Sequence, residues 1–190
     1  MTDGLNEDEQ NFLLNLARET LESYIKNGRK PKVDASGLSE NLKRVRGGFV
    51  TLKKNGELRG CIGHIIPHEP LYKCVIDNAI NAAFHDSRFP QISYEELSEI
   101  KIEISVLSVP KKLDYSSPKE LLKKLVPLKD GVILKLGWNQ STFLPPVWEE
   151  IPDKKEFMEY LCLKQGSSKE CWKSPNAVIE IYNAQVFGEN

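Results

Sequence analysis

Asn55-Gly56 stands between two strand-like runs and constrains the fold more than any other pair in the chain. Asn-Gly is preferred where both residues of a two-residue turn need positive φ, so it predicts a tight β-hairpin. Lys54 then pairs with Glu57, and the register follows: Leu52 opposite Arg59, Thr51 opposite Gly60, Val50 opposite Cys61, Gly48 opposite Gly63. Side chains alternate across a strand, which puts Arg59, Cys61, Val50 and Leu52 on one face. Leu58, Ile62 and Phe49 share the other, which reads as the core face. A second hairpin is predicted from 132–136 and 141–144 around Trp138-Asn139, closed by Pro145-Pro146. Two hairpins imply antiparallel pairing, so the fold class is α+β, an antiparallel sheet flanked by helices.

The helices carry their own punctuation. Asn6 with Glu9 predicts a capping box ahead of an apolar stripe through Leu13, Leu14, Ala17, Leu21, Tyr24 and Ile25, and Gly28 stops it. Residues 29–46 read as a polar, flexible connector. Pro70 suits the first turn of a helix carrying Leu71, Val75, Asn78, Ala79 and Ala82 to about Phe84. Ser93 with Glu96 predicts a short capped helix, Ser117-Pro118 with Glu120 another, and Asp153 a third that stops at Gly166. Lys101–Ser108 alternates strictly with Ile102, Ile104 and Val106 inward, and 177–187 reads as one last strand.

At 190 residues the chain suffices for one domain, or two lobes sharing a core. A net charge of −1 excludes a global field toward nucleic acid or membranes. Locally, Lys43, Arg44, Arg46, Lys53, Lys54 and Arg59 face Glu57 alone between Asn41 and Gly60, leaving +5. That excess fits either a solvated hairpin rim or an anion-attracting cleft edge. Neither a signal peptide nor a ~20-residue apolar run is visible, so a cytoplasmic location is expected. Cys61, Cys74, Cys162 and Cys171 form no CxxC pair, and no disulfide is expected in a reducing compartment. No phosphate loop, dinucleotide fingerprint or basic-aromatic RNA platform is present, so nucleic acid is not supported.

Two stretches carry more than a sheet or helix needs. Leu58-Arg59-Gly60-Cys61-Ile62-Gly63 places a cation, a thiol and two glycines in six residues. Glycine inside a strand marks a bulge or a close approach to the backbone, so Gly60 and Gly63 join Arg59 as candidate ligand-binding residues. Ala83-Phe84-His85-Asp86-Ser87-Arg88-Phe89-Pro90 is the second, and Arg88 offers a guanidinium fork to a carboxylate or phosphate. The bland alternative is a helix end with local Asp86–Arg88 hydrogen bonds. Cys61, His85 and Asp86 have the chemistry of a nucleophile triad, with imidazole holding the thiolate and carboxylate orienting imidazole. A buried, inert cysteine is the commoner fate of a strand cysteine. His64 and His68 have helical metal-pair spacing, but Pro67 and Pro70 oppose a helix, and Cys61 with His64 lacks a third ligand, so no metal is expected.

These residues resemble the AMMECR family, the AMME chromosomal-region candidate protein domain whose prokaryotic members are called AmmeMemoRadiSam system protein A. The likeness spans nearly the whole chain. It rests on the hexapeptide 58–63, on Asp86-Ser87-Arg88-Phe89-Pro90, on Ile104-Ser105-Val106-Leu107 and on Phe143-Leu144-Pro145-Pro146-Val147-Trp148. The resemblance implies an antiparallel sheet flanked by helices, a second, smaller β-rich lobe and a cleft beside the hexapeptide. It implies no particular reaction and no cofactor. It does imply Memo-like and radical-SAM proteins as partners. Arg59, Cys61, Asp86 and Arg88 fall on family motif positions. His64 and His85 fall where the family varies, which weakens the triad, and Gln91 replaces the usual second proline.

Three functions are then open. Arg59 and Arg88 bind an anionic ligand or partner group, Cys61 serves as nucleophile or carrier on an anionic or acyl substrate, or an exposed Trp138 docks on a partner.

Overall fold

The computed structural model describes residues 4–189. It contains two four-stranded antiparallel sheets and six α-helices among those residues, an α+β fold. Contacts divide the chain into two compact units, 1–109 with 185–190, and 110–184.

The first unit opens with α1 (Glu7–Asn27). The Asn6 side chain accepts from the Glu9 N–H, the Glu9 carboxylate accepts from the Asn6 N–H, and Gly28 ends the helix in the left-handed conformation. Residues 29–46, expected to be a flexible connector, are not featureless. A 3-10 turn covers Ala35–Gly37, and Ser39 caps the short α2 (Glu40–Lys43). Ser39 and Asn41 also donate to the Glu9 carboxylate, tying the segment to the start of α1. Then follow β1 (Gly48–Lys54), β2 (Glu57–His64), α3 (Leu71–Phe84) and β3 (Ile100–Leu107). A late strand, β8 (Ala184–Gly188), completes the sheet in the order β2-β1-β3-β8. Leu13, Ala17 and Leu21 of α1 and Val75 and Ala79 of α3 bury against Val50, Leu52, Ile102 and Ile104. Each of these buried leucine, isoleucine and valine side chains contributes about 1.5–3 kcal/mol, and each alanine less.

The first hairpin turns as predicted, with φ of 53° at Asn55 and 83° at Gly56. Its register does not run through. Lys54 pairs with Glu57 and Lys53 with Leu58, but Leu52 pairs with Gly60, Thr51 with Cys61 and Val50 with Ile62. Arg59 is an extra residue in β2, a bulge that advances everything beyond it by one place. The expected faces are therefore corrected. Val50, Leu52 and Ile62 face the core, Cys61 lies with Thr51 on the other side, and Leu58 is exposed.

The second unit holds β4 (Lys111–Lys112), α4 (Pro118–Lys124), β5 (Gly131–Leu136), β6 (Asn139–Phe143), α5 (Val147–Glu150), α6 (Lys154–Lys164) and β7 (Val178–Tyr182). Its sheet runs β4-β7-β5-β6. The single last strand expected over 177–187 is two strands in two sheets, divided at Asn183, a residue type depleted from strands. Trp148 lies in this unit's own core. Its ring stacks on Phe157 at 3.5 Å, and its indole N–H donates to the Asp130 carbonyl at 2.7 Å. Cys162 and Cys171 form a disulfide, contrary to the expectation of none. Gly166, at φ 76°, ends α6 and lets the chain double back, which brings the two thiols together across only nine positions. Trp138, at the tip of the second hairpin, is fully exposed.

Candidate functional site

The hexapeptide and the 86–90 turn meet at the edge of the first unit's sheet. β2 is an edge strand, so some of its N–H and C=O groups have no neighbouring strand to pair with. α3 packs over it very closely. A Cβ added at Gly60 would sit 2.2 Å from the Ala82 carbonyl oxygen, a distance no side chain tolerates. Gly60 thus admits the chain's own helix. Gly63 plays a similar part, because a Cβ there would meet the Phe49 ring at 2.4 Å. α3 ends two residues after Ala82, at Phe84, and runs into a tight turn, with the His85 N–H donating to the Asn81 carbonyl at 2.8 Å and the Phe89 N–H to the Asp86 carbonyl at 3.1 Å.

That turn delivers Asp86 to the strand edge. Its buried carboxylate accepts the Cys61 N–H at 2.9 Å. The same carboxylate takes the Arg88 fork, Nε at 2.9 Å and Nη2 at 2.7 Å, and the Arg88 N–H at 3.2 Å. Arg88 Nη2 also donates to the Cys61 carbonyl at 3.2 Å. Asp86 and Arg88 together thus occupy the two backbone groups of Cys61, as a fifth strand would. The Arg88 guanidinium holds the Asp86 carboxyl far below the usual carboxylate range, with the Cys61 N–H adding to the effect, and Asp86 in turn raises Arg88.

Arg59 reaches the other end of the turn. Its Nη1 donates to the Pro90 carbonyl at 2.8 Å, and its Nε and Nη2 grip Glu96 bidentately at 2.8 and 3.0 Å. Arg59 is only 12% exposed, so its charge is spent inside this arrangement. Glu96 is held below its ordinary value chiefly by that guanidinium. Of the other cations of the basic stretch, Lys43 pairs with Glu40, Lys53 with Glu103, and Lys54 with Glu96 and Glu99. Carboxylates of α2, β3 and the 3-10 turn over Glu95–Glu99 thus offset much of the local excess of +5.

Cys61 is partly exposed, and its sulfur accepts from the Thr51 hydroxyl at 3.2 Å. His85 is exposed beside Asp86 in sequence, yet both Asp86 oxygens bond elsewhere, so neither link of a Cys61–His85–Asp86 triad forms. The structure thus joins Cys61, Asp86 and Arg88 directly and Arg59 through the same turn. Sequence reasoning missed Thr51 and Glu96. Thr51 is hidden by the unforeseen bulge. Glu96 reads as a cap residue, and its N–H does accept that role at Ser93 Oγ, 3.3 Å, while its side chain does something else. Cys74, the other free thiol, is buried and pushed up to about 12 by that burial. A concavity of about 470 Å³ lies elsewhere on this unit, lined by Arg18, Tyr94 and Leu97.

The AMMECR1 family model matches residues 14–187. The chain belongs to the AMMECR1 family. Relatives of this AMMECR1 chain include Protein MK0488 of Methanopyrus kandleri, 40% identical over all of the chain and 92% of the relative. A protein of Methanosarcina mazei is 39% identical over 97% of the chain and 94% of its own length. The crystal structure of an uncharacterized protein, PH0010 from Pyrococcus horikoshii, superposes with a TM-score of 0.81 at 34% identity, covering 94% of this chain and 90% of that one. No described helix is long and apolar enough to cross a membrane.

Proposed function

We propose that this AMMECR1-family chain is a binding module that receives an anionic ligand or an anionic group of a partner protein at the surface formed by Cys61 and Arg88. The observation that carries this reading is the posture of Arg88. Its Nε and Nη2 are fastened to Asp86 and Cys61, while the side chain remains 53% exposed. A guanidinium fixed along one edge offers the rest of its fork without the entropy cost of ordering it. Arg59 acts in this reading as a strut that holds the turn, since it has little exposed surface to offer. The Memo-like and radical-SAM partners implied by the resemblance would bring the anionic group, and the fully exposed Trp138 gives the second unit a docking residue of its own.

Cys61 supplies the probe. It is the exposed free thiol, because Cys74 is buried and Cys162 and Cys171 are joined. Iodoacetate carries a carboxylate and iodoacetamide does not. Their relative rates at Cys61 should favour iodoacetate more than at a free cysteine peptide, and Arg88→Gln should abolish the preference while the protein stays folded. Equal preference in the parent and Arg88→Gln would sink the reading.

A second reading, a cysteine-dependent enzyme with Cys61 as nucleophile or carrier on an anionic or acyl substrate, is favoured by the Thr51 hydroxyl that donates to the sulfur beside Arg88. Its test is the pH profile of the same alkylation. A rate that rises only around pH ~8.5, as for an ordinary thiol, counts against it.

A further inference from the structure

We propose that His64, His68 and Glu69 form a binding site for one divalent transition-metal ion of zinc's class. One ligand atom from each residue lies within 4.8 Å of the other two, and the imidazole centroids of His64 and His68 are 3.9 Å apart. This site is separate from the Cys61–Arg88 surface and does not rest on the function proposed for it.

The backbone explains how the cluster arises. Pro67 denies these residues a helix, but the loop from Ile65 to Glu69 is pinned at both ends. His64 pairs with Gly48 as the last residue of β2. Pro70 bridges to Val45, and the Leu71 N–H donates to the Arg44 carbonyl at 2.9 Å. A short loop with fixed ends and an internal proline brings the two rings side by side, tilted 45° to each other.

The ring nitrogens of His68 are arranged as a metal-binding histidine requires, and those of His64 reach the same arrangement by the half-turn of one amide. Such residues donate one ring N–H to a fixed acceptor, which leaves the other nitrogen's lone pair for the ion. His68 Nδ1 lies 3.3 Å from the Ile66 carbonyl, so its N–H donates there, and Nε2 stands 3.5 Å from Glu69 Oε1. His64 Nε2 is buried without a hydrogen-bond partner, a costly condition for a polar atom. His64 Nδ1 lies 3.4 Å from the Asn78 amide. The same amide nitrogen also donates to the Cys74 sulfur at 3.3 Å, and a half-turn of the amide presents Oδ1 to Nδ1–H and to the Cys74 thiol instead, which frees the Nε2 lone pair.

Two imidazoles and one carboxylate suit zinc and its neighbours, with further positions open to water. Bonds of about 2.0 Å in a tetrahedron separate ligand atoms by about 3.3 Å. The His68–Glu69 pair is already near that spacing. His68 is 61% exposed, so it can turn to close the remainder.

The experiment uses untagged protein titrated with Zn²⁺ by calorimetry and with Co²⁺ by absorption. One ion per chain is expected, with Co²⁺ d–d bands and no thiolate charge-transfer band. Loss of a direct ligand should exceed the 10–100-fold cost of losing an outer-shell partner, so His68→Ala should weaken binding by more than about 100-fold, and Glu69→Gln should also weaken it. His68→Ala should melt like the parent without metal, because the side chain is exposed, but lose the rise in Tm that Zn²⁺ gives the parent. Absence of saturable binding, affinity equal to the parent's in His68→Ala and Glu69→Gln, or a thiolate band placing the ion on Cys61 would each overturn the site.

Discussion

Asp86 is the residue on which the site's architecture turns. It is a buried carboxylate that satisfies a backbone N–H on an edge strand and a guanidinium at once. Asp86→Ala leaves the Cys61 N–H without its acceptor, and an unsatisfied donor costs about 1–3 kcal/mol. The exposed half of the ion pair adds little to that. Urea unfolding should therefore place Asp86→Ala about 1–3 kcal/mol below the parent, and Asp86→Asn, which keeps an acceptor, closer to it. The pH dependence follows from the sign of the shift. Asp86 is depressed in the folded state, so the stability it contributes is complete above its unfolded value of ~3.9 and is lost as pH falls below that toward the folded value. Asp86→Asn should flatten the decline in stability below about pH 4 relative to the parent, and an unchanged decline would count against the assignment. The motif itself could be picked out from residue types, since a thiol flanked by glycines and an Asp-x-Arg turn are both unusual. The bond between Asp86 and Arg88 was legible as the local alternative and is present, but their bonds to Cys61 were not, because hydrogen-bond partners 25 and 27 positions away leave no local mark.

At the scale of elements, the closeness of α3 to β2 is set by a missing side chain. Gly60→Ala inserts a Cβ 2.2 Å from the Ala82 carbonyl, and either the helix or the strand must move. Overpacking of this kind costs about 1–3 kcal/mol, and the shift would also pull Asp86 from Cys61. A lower Tm together with faster alkylation of Cys61 is the expected pair of outcomes. An unchanged Tm would contradict the close contact. Local periodicity predicted most elements well. The Asn55-Gly56 turn, the capping box of α1, the inward face of β3 and the Asp153 cap of α6 all follow from near neighbours, and all are present. The bulge at Arg59 was not readable, because an inserted residue changes no propensity and only the partner strand reveals it. Its effect was large all the same, since beyond it Val50 and Leu52 share their face with Ile62 and not with Cys61.

On the whole-molecule scale, each unit has a core of its own, and the second also has a covalent link. In the chain-entropy account, closing so short a loop is worth about 2–3 kcal/mol. Reduction should lower the stability of residues 110–184 by that amount in guanidinium unfolding, and Cys162→Ser/Cys171→Ser should match the reduced parent and ignore reductant. Tryptophan fluorescence reports the change, because all three tryptophans belong to this unit. Cysteine spacing alone pointed away from the bond, as the reversal at Gly166 is a property of the folded helix end. The division of the chain also has a consequence for how it is made. β8 closes the first unit's sheet, and beside it Glu189 accepts from the Ile102 N–H and grips Arg18 of α1. Yet β8 leaves the ribosome only after every residue of the second unit has been synthesised. The part begun first must wait with an open sheet edge, exposed to chaperones and to strand exchange, while the part begun second has its whole sequence in hand and can finish before it.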